Sequence, residues 1–275
     1  MLIILFTKLV ATAVVVIGVS LVVGKLGPRL GGIIAGTPIV LGPGYFFMLQ
    51  EHSPAFIQVA ALSTLHALVA TLLFSISFVV TAGRLGALPS LGIATLCWIP
   101  AALLFSRVSG GVWVAVLMYL GMLLLAEGVR RALRLRQPII VAHSGWFDLV
   151  LRGLLAGVLV SVATTLAVKS GPLLSGMLVG FPVGLFTIGW TLHERYGPDV
   201  ARATVSMAQK GMLSLVAFGV VTATLVGHLP PMVVFLLSLM ASMSVSAMLF
   251  MVSQWRFRRD CATRYGAVDR GNKTQ

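Results

Sequence analysis

Acidic residues are nearly missing from this chain. Seven Asp and Glu stand against 20 Lys and Arg in 275 residues, and charged residues make up only 10% of the whole. A soluble domain carries about a quarter charged residues, and no polar stretch here is long enough to form one. Cysteine is almost as scarce. Cys97 lies in an apolar run and Cys261 in a basic tail. There is no CxxC and no ligand-spaced Cys/His cluster, so neither a disulfide framework nor a metal site is expected. HExxH, GxSxG and paired intramembrane acids are also lacking, which argues against an enzyme. No cofactor is expected either. The basic excess, a formal net charge of +13, forms no continuous stripe. It sits in short loops between apolar runs, which excludes a nucleic-acid partner and points to membrane topology.

Apolar segments dominate, with 58% hydrophobic residues. Runs of about 20 residues, the length that crosses the hydrocarbon of a bilayer, recur from end to end. The pattern predicts an all-α polytopic membrane protein of nine spans, near 2–24, 30–49, 55–82, 86–106, 110–127, 148–168, 173–192, 200–227 and 231–252. The first run has no charged segment before it, exceeds a typical signal-peptide core and is interrupted by Lys8, so it reads as a transmembrane helix.

The chain also contains itself twice. The pattern K-x-G-P-x-L-x-G-x-x-x-G-x-P covers Lys25 to Pro38 and again Lys169 to Pro182, an offset of 172 − 28 = 144 residues. Between Lys25 and Pro54, 9 of 30 positions are identical to their partners, and six of those nine are Gly or Pro. Leucine-rich helices match by composition; helix breakers at equal offsets do not. The chain therefore divides into a first repeat (1–106), a connector helix with a basic loop (107–147), a second repeat (148–252) and a basic tail (253–275).

Charge counting orients the repeats. With nine spans, 15 Lys and Arg fall on the side of the C-terminus and two, Arg107 and Lys169, on the other. That bias makes the C-terminus cytoplasmic and the N-terminus external. Re-entrant second and seventh segments would destroy it, so full crossing is expected. An odd number of spans between equivalent helices makes the repeats antiparallel, related by a pseudo-two-fold axis in the membrane plane.

Spans two and seven are rich in breakers, with Gly36, Pro38, Gly42, Pro43 and Gly44 in one and Gly176, Gly180, Pro182, Gly184 and Gly189 in the other. An interior proline frees a backbone carbonyl, which in lipid must find a protein or water partner. Such a pair either lines a cavity near the midplane or packs closely through its small residues. Ionisable residues inside spans are costly and functionally suspect. Lys8, Arg152 and Lys210 qualify, with His66 as the repeat partner of Lys210 (66 + 144 = 210). Lys8 and Arg152 lie near span starts, where snorkelling explains them equally well, and Arg152 has Asp148 one turn away. All seven acids fall near span ends or in the tail. The interior is thus cationic and hydroxylic, with Thr37, Ser63, Thr64, Thr164, Thr165, Ser206 and Gln209 beside the basic residues, which suits a carboxylate or phosphate.

A Lys early in the first helix followed by the repeated pattern, here Lys8 with Lys25 to Pro38 and Arg152 with Lys169 to Pro182, resembles small bacterial inner-membrane proteins of the GlpM-like type. The resemblance implies a bacterial inner membrane and carries no functional residues.

The expectation is a multi-pass inner-membrane transporter of a small anionic solute, working by alternating access. Its site would be built from Lys8, Gly36, Thr37, Pro38, His66, Arg152, Gly180, Phe181, Pro182 and Lys210. The alternatives are a flippase or binder of an anionic lipid carrier and a non-transporting membrane subunit. Membrane lipids are expected partners, and a homo-oligomer is an open possibility.

Overall fold

The computed structural model describes residues 2–25, 38–135 and 145–271. These are helical almost throughout, with no strand among them beyond one isolated bridge between Val226 and Leu229. In chain order the helices are α1 (Leu2–Lys25), α2 (Leu41–Glu51), α3 (Pro54–Thr81), α4 (Ala87–Phe105), α5 (Gly111–Ala132), α6 (Trp146–Val179), α7 (Val183–Tyr196), α8 (Pro198–Gly211), α9 (Leu213–Leu225) and α10 (Pro231–Gly271). Six stretches among the described residues are long and apolar enough to cross a membrane: Pro54–Thr81, Ala87–Phe105, Gly111–Ala132, Gly171–Tyr196, Pro198–Leu225 and Pro231–Trp255. This is a multi-pass membrane protein. Leu5–Leu21 and Leu149–Thr165 are shorter apolar helical stretches within α1 and α6.

Local chemistry sets the boundaries. Ser53 caps α3 by accepting a hydrogen bond from the Phe56 amide at 3.4 Å, and Pro54 fills the first turn, where its missing N–H costs nothing. Gly171 interrupts α6 with φ +77°, a conformation that only glycine adopts freely. The Gly180-Phe181-Pro182 turn then separates α6 from α7, as the breakers predict. α8 and α9, expected as one span over 200–227, together form the single membrane-length stretch Pro198–Leu225, with a shallow interruption at Met212. α10 runs on to Gly271, through the stretch expected as a basic tail. No proline and no glycine before Gly266 stops it.

α3 is the central element and is buried along most of its length. The stretch Gly171–Tyr196 follows it from end to end. Leu173 meets Ser63, Gly176 meets Ala60 and Thr64, Gly180 meets Ala67, Gly189 meets Phe78, and His193 meets the Ala82 carbonyl. Gly171–Tyr196 is thus long and apolar enough to cross a membrane and carries an interruption at Gly180 to Pro182.

α3 and the α8–α9 pair run antiparallel, as Arg202 reaches Val79, Gln209 reaches Ser75 and Gly219 abuts Leu65. α1 and α6 do the same, with Leu5 against Ser161, Leu9 against Gly157 and Ala13 against Gly153. Backbone approach here depends on the Gly153-x-x-x-Gly157 pair, the small-residue device of membrane helix packing. α3 and α8–α9 have equivalent ends (54 + 144 = 198 and 81 + 144 = 225), and α4 and α10 have equivalent starts (87 + 144 = 231). α5, the connector, packs on α3, α8 and α9.

Candidate functional site

α3 supplies hydroxyls to carbonyls around the interruption of span seven, among them the Gly176 carbonyl, which also accepts from the Gly180 amide at 3.1 Å. Ser63 Oγ donates to the Leu173 carbonyl at 2.7 Å, and Thr64 Oγ1 donates to the Gly176 carbonyl at 2.7 Å. Thr64 has only carbonyls to donate to, so the Tyr45 hydroxyl, 2.7 Å away, donates to Thr64. Thr71 Oγ1 shares its proton between the Ala67 and Gly180 carbonyls, at 2.9 and 3.3 Å, and accepts from the Trp98 indole at 3.1 Å. Phe181 then stands edge-on to Trp98 with ring centroids 5.1 Å apart. The Gly180-Phe181-Pro182 turn is thus held by contacts with Thr71 and Trp98. Ser63 and Thr64 belonged to the hydroxyl inventory of the sequence; Thr71 and Trp98 were not foreseen.

The chain segments beside Pro38 and Pro182 meet. Ile39 and Val40, which follow Pro38, pack in one apolar cluster with Phe181 and Val183, which flank Pro182. Val16 of α1 and Ala156 and Leu159 of α6 complete it. Gly36 and Thr37 lie outside the described residues.

The cationic positions are dispersed. Lys8 is buried at 5% exposure, and its Nζ lies 2.6 Å from Glu51 Oε2 and 5.7 Å from the Phe47 ring centroid. It is a paired charge, not a snorkelling one. Lys210 is 53% exposed and its Nζ lies 3.2 Å from Glu127 Oε2 on α5. Glu127 also receives Arg130, at 2.5 and 3.0 Å, and Arg131, at 3.1 Å. The Arg152 Nε donates to Thr187 Oγ1 at 3.3 Å. His66 is 1% exposed on α3, and neither ring nitrogen makes a hydrogen bond; the Leu62 carbonyl one turn earlier is the backbone acceptor that addresses the ring, outside bonding geometry.

Lys8 and Lys210 belong to opposite ends of the bundle. The Lys8–Glu51 pair adjoins His52, which stacks on Phe56 at 4.2 Å, whereas Gln209, next to Lys210, bonds Ser75. Phe56 and Ser75 are 19 residues apart on α3, or roughly 28 Å at the helical rise. One small ligand cannot touch both ammonium groups. His52 lies between α2 and α3, where burial holds its imidazole below the ordinary value of 6.5; Glu51 opposes that shift and Lys8 adds to it.

Pro38 lines a groove of about 400 Å³ between α1, α2 and α10. Its walls are Ala11, Thr12, Val15 and Val19 from α1, Pro38, Gly42 and Phe47 around α2, and Phe235 and Leu239 from α10. Apart from Thr12 these side chains are apolar. The Thr12 hydroxyl is buried and makes no hydrogen bond. Phe47 connects the groove to the Lys8–Glu51 pair, and Lys8 lies one turn before Thr12 on the same face of α1. Gly42 keeps the groove open, since a Cβ placed there meets nothing within 4 Å. Its repeat partner is Phe186 (42 + 144 = 186), whose ring packs into the main core. Of the expected site residues, Pro38 alone is among the groove's walls.

No family model, no characterised protein and no solved structure matches the chain.

Proposed function

We propose that this chain is a membrane transporter built from two inverted repeats, which rock against each other across the α1–α6 and α3–α8/α9 contacts. The observation that carries this reading is an exchange of contacts. Under the 144-residue offset, the approach of Gly153 to Ala13 becomes the approach of Leu9 to Gly157, and both occur. The α4–α7 and α2–α10 packings exchange in the same way, because α4 corresponds to α10 and α2 to α7. Antiparallel helix pairs related by such an exchange are what an in-plane two-fold axis generates. A nine-span topology with the C-terminus in the cytoplasm agrees with the same arrangement. The resemblance to GlpM-like proteins supplies the bacterial inner membrane.

Two substrate classes remain from the sequence, a small hydrophilic anion and an anionic lipid carrier. The groove favours the second. A hydrophilic anion needs uncompensated cations in a hydrated pocket, but Lys8 and Lys210 are each paired with a carboxylate. The groove instead offers apolar walls, one unsatisfied hydroxyl and an ion pair one turn away, which suits a hydrocarbon chain below a charged head.

Reconstitution tests the reading. Proteoliposomes are assayed in parallel for scrambling of a fluorescent anionic phospholipid and for uptake of a radiolabelled dicarboxylate, with wild type and Gly42→Leu. The expected result is lipid scrambling that Gly42→Leu lowers at least ten-fold, without dicarboxylate uptake. Uptake unaffected by Gly42→Leu would restore the small-anion reading. Activity in neither assay would favour a non-transporting subunit.

A further inference from the structure

A separate feature lies at the far end of the bundle from the groove. Glu127, whose side chain is 16% exposed, is the single carboxylate among three cations: Arg130 and Arg131 on its own helix and Lys210 on α8. The local sum is two positive charges. Arg130 grips both carboxylate oxygens and is 24% exposed, so it is occupied in holding Glu127. Arg131 and Lys210 are different. Each touches Glu127 through one nitrogen, at 3.1 and 3.2 Å, while their side chains are 76% and 53% exposed. Two outward-facing cations from two helices are therefore fixed beside each other by one shared anion.

Arg131 also ends a hydrocarbon-facing stripe. Trp113, Leu117, Leu120 and Leu124 follow each other at helical spacing along α5, all exposed, and Arg131 continues that face two turns later. A lipid lying against this stripe brings its phosphate to the level of Arg131 and Lys210. Basic pockets between membrane helices on the cytoplasmic side bind anionic headgroups in this way, and the Lys and Arg count puts this end on that side.

We propose that Arg131 and Lys210, set by Glu127, form a binding site for the phosphate of one anionic phospholipid of the cytoplasmic leaflet. The lipid is a resident ligand, distinct from anything that enters the groove, and the site does not require that the protein transports. A free phosphate shares the headgroup chemistry but has no chain to lie along α5, so it should bind far more weakly.

Purified full-length protein in phosphatidylcholine nanodiscs is titrated with phosphatidylglycerol, and in separate arms with inorganic phosphate and with further phosphatidylcholine. Bound lipid is counted by native mass spectrometry and thermal stability is followed. The expected result is one tightly retained phosphatidylglycerol that raises Tm, with no effect of the other two. Arg131→Ala with Lys210→Ala should weaken retention roughly thirty-fold, the loss of about two headgroup contacts. Arg107→Ala, an exposed cation outside the cluster, should leave it unchanged. Equal stabilisation by phosphatidylcholine or by inorganic phosphate would overturn the proposal. So would full retention in the double variant. The lipid comparison on wild type decides the matter even if the double variant does not fold.

Discussion

Lys8 and Glu51 meet at 2.6 Å between α1 and the last residue of α2, and the repeat partners of these two residues are Arg152 and Arg195. The acid and base of the first half thus have two bases as counterparts in the second. The ion pair is a property of one half alone. It leaves a buried ammonium dependent on a partner 43 residues away.

Glu51→Gln should therefore destabilise the protein by about 2 kcal/mol, the scale of a lost hydrogen bond to a charged group. Lys8→Met combined with Glu51→Gln should recover part of that loss, because no uncompensated charge then remains inside. Thermal unfolding of the single and double variants in one detergent checks the sign of the coupling.

Gly157→Ala should lower stability, and Gly121→Ala should raise it. A Cβ on Gly157 would stand 2.7 Å from the Leu9 carbonyl oxygen, a backbone atom that cannot swing aside. Overpacking costs roughly 1–3 kcal/mol, which exceeds the gain of about 1 kcal/mol from replacing a helical glycine. At Gly121 nothing lies within 4 Å, so only the gain remains. Equal effects in the two variants would remove the close crossing of α1 and α6.

Arg134→Gly should stabilise the end of α5. The Leu135 amide bonds the Arg130 carbonyl and the Arg134 amide bonds the Arg131 carbonyl, the two bonds of a Schellman cap. Arg134 occupies its left-handed position at φ +51°, where a side chain costs about 1 kcal/mol. A rise of about 1 kcal/mol in stability is expected, and no rise would mean that the turn is not strained.

Acid should weaken the α2–α3 corner. The folded imidazole of His52 titrates below its ordinary value of 6.5 because burial disfavours its charged form. In the window between that lowered value and 6.5 the unfolded state binds more protons, so stability falls as pH falls through it. Above 6.5 this contribution is complete and flat. A Tm profile from pH 7.5 to 5 should slope down in wild type and slope less in His52→Gln.

Much of the helical layout is legible in the sequence. α3 was expected over 55–82 and spans Pro54–Thr81; the Gly180-Phe181-Pro182 break falls where the breakers put it. Ser63 and Thr64, read as interior hydroxyls, donate to the Leu173 and Gly176 carbonyls of span seven. The interruption at Met212 was not legible, since no proline marks it. It lies beside Gln209, whose carbonyl accepts a hydrogen bond from Tyr119 on α5 at 3.0 Å. The partners of Lys8 and Lys210 were not legible either. Both acids were recognised at helix ends, but nothing in a run of residues says which cation each will meet.

Helix length, helix breaks and the near absence of interior acids were determined by the sequence alone, because they follow from local backbone chemistry and from the cost of charge in hydrocarbon. The tertiary structure decided the rest. Whether Lys210 serves a buried anion or an interfacial cluster depends on α5 lying against α8. Whether Pro38 borders a groove depends on α10 standing across from Gly42. Those contacts join residues from 83 to about 200 positions apart (210 − 127 = 83; 235 − 38 = 197). Only close packing, which no local pattern encodes, brings them together.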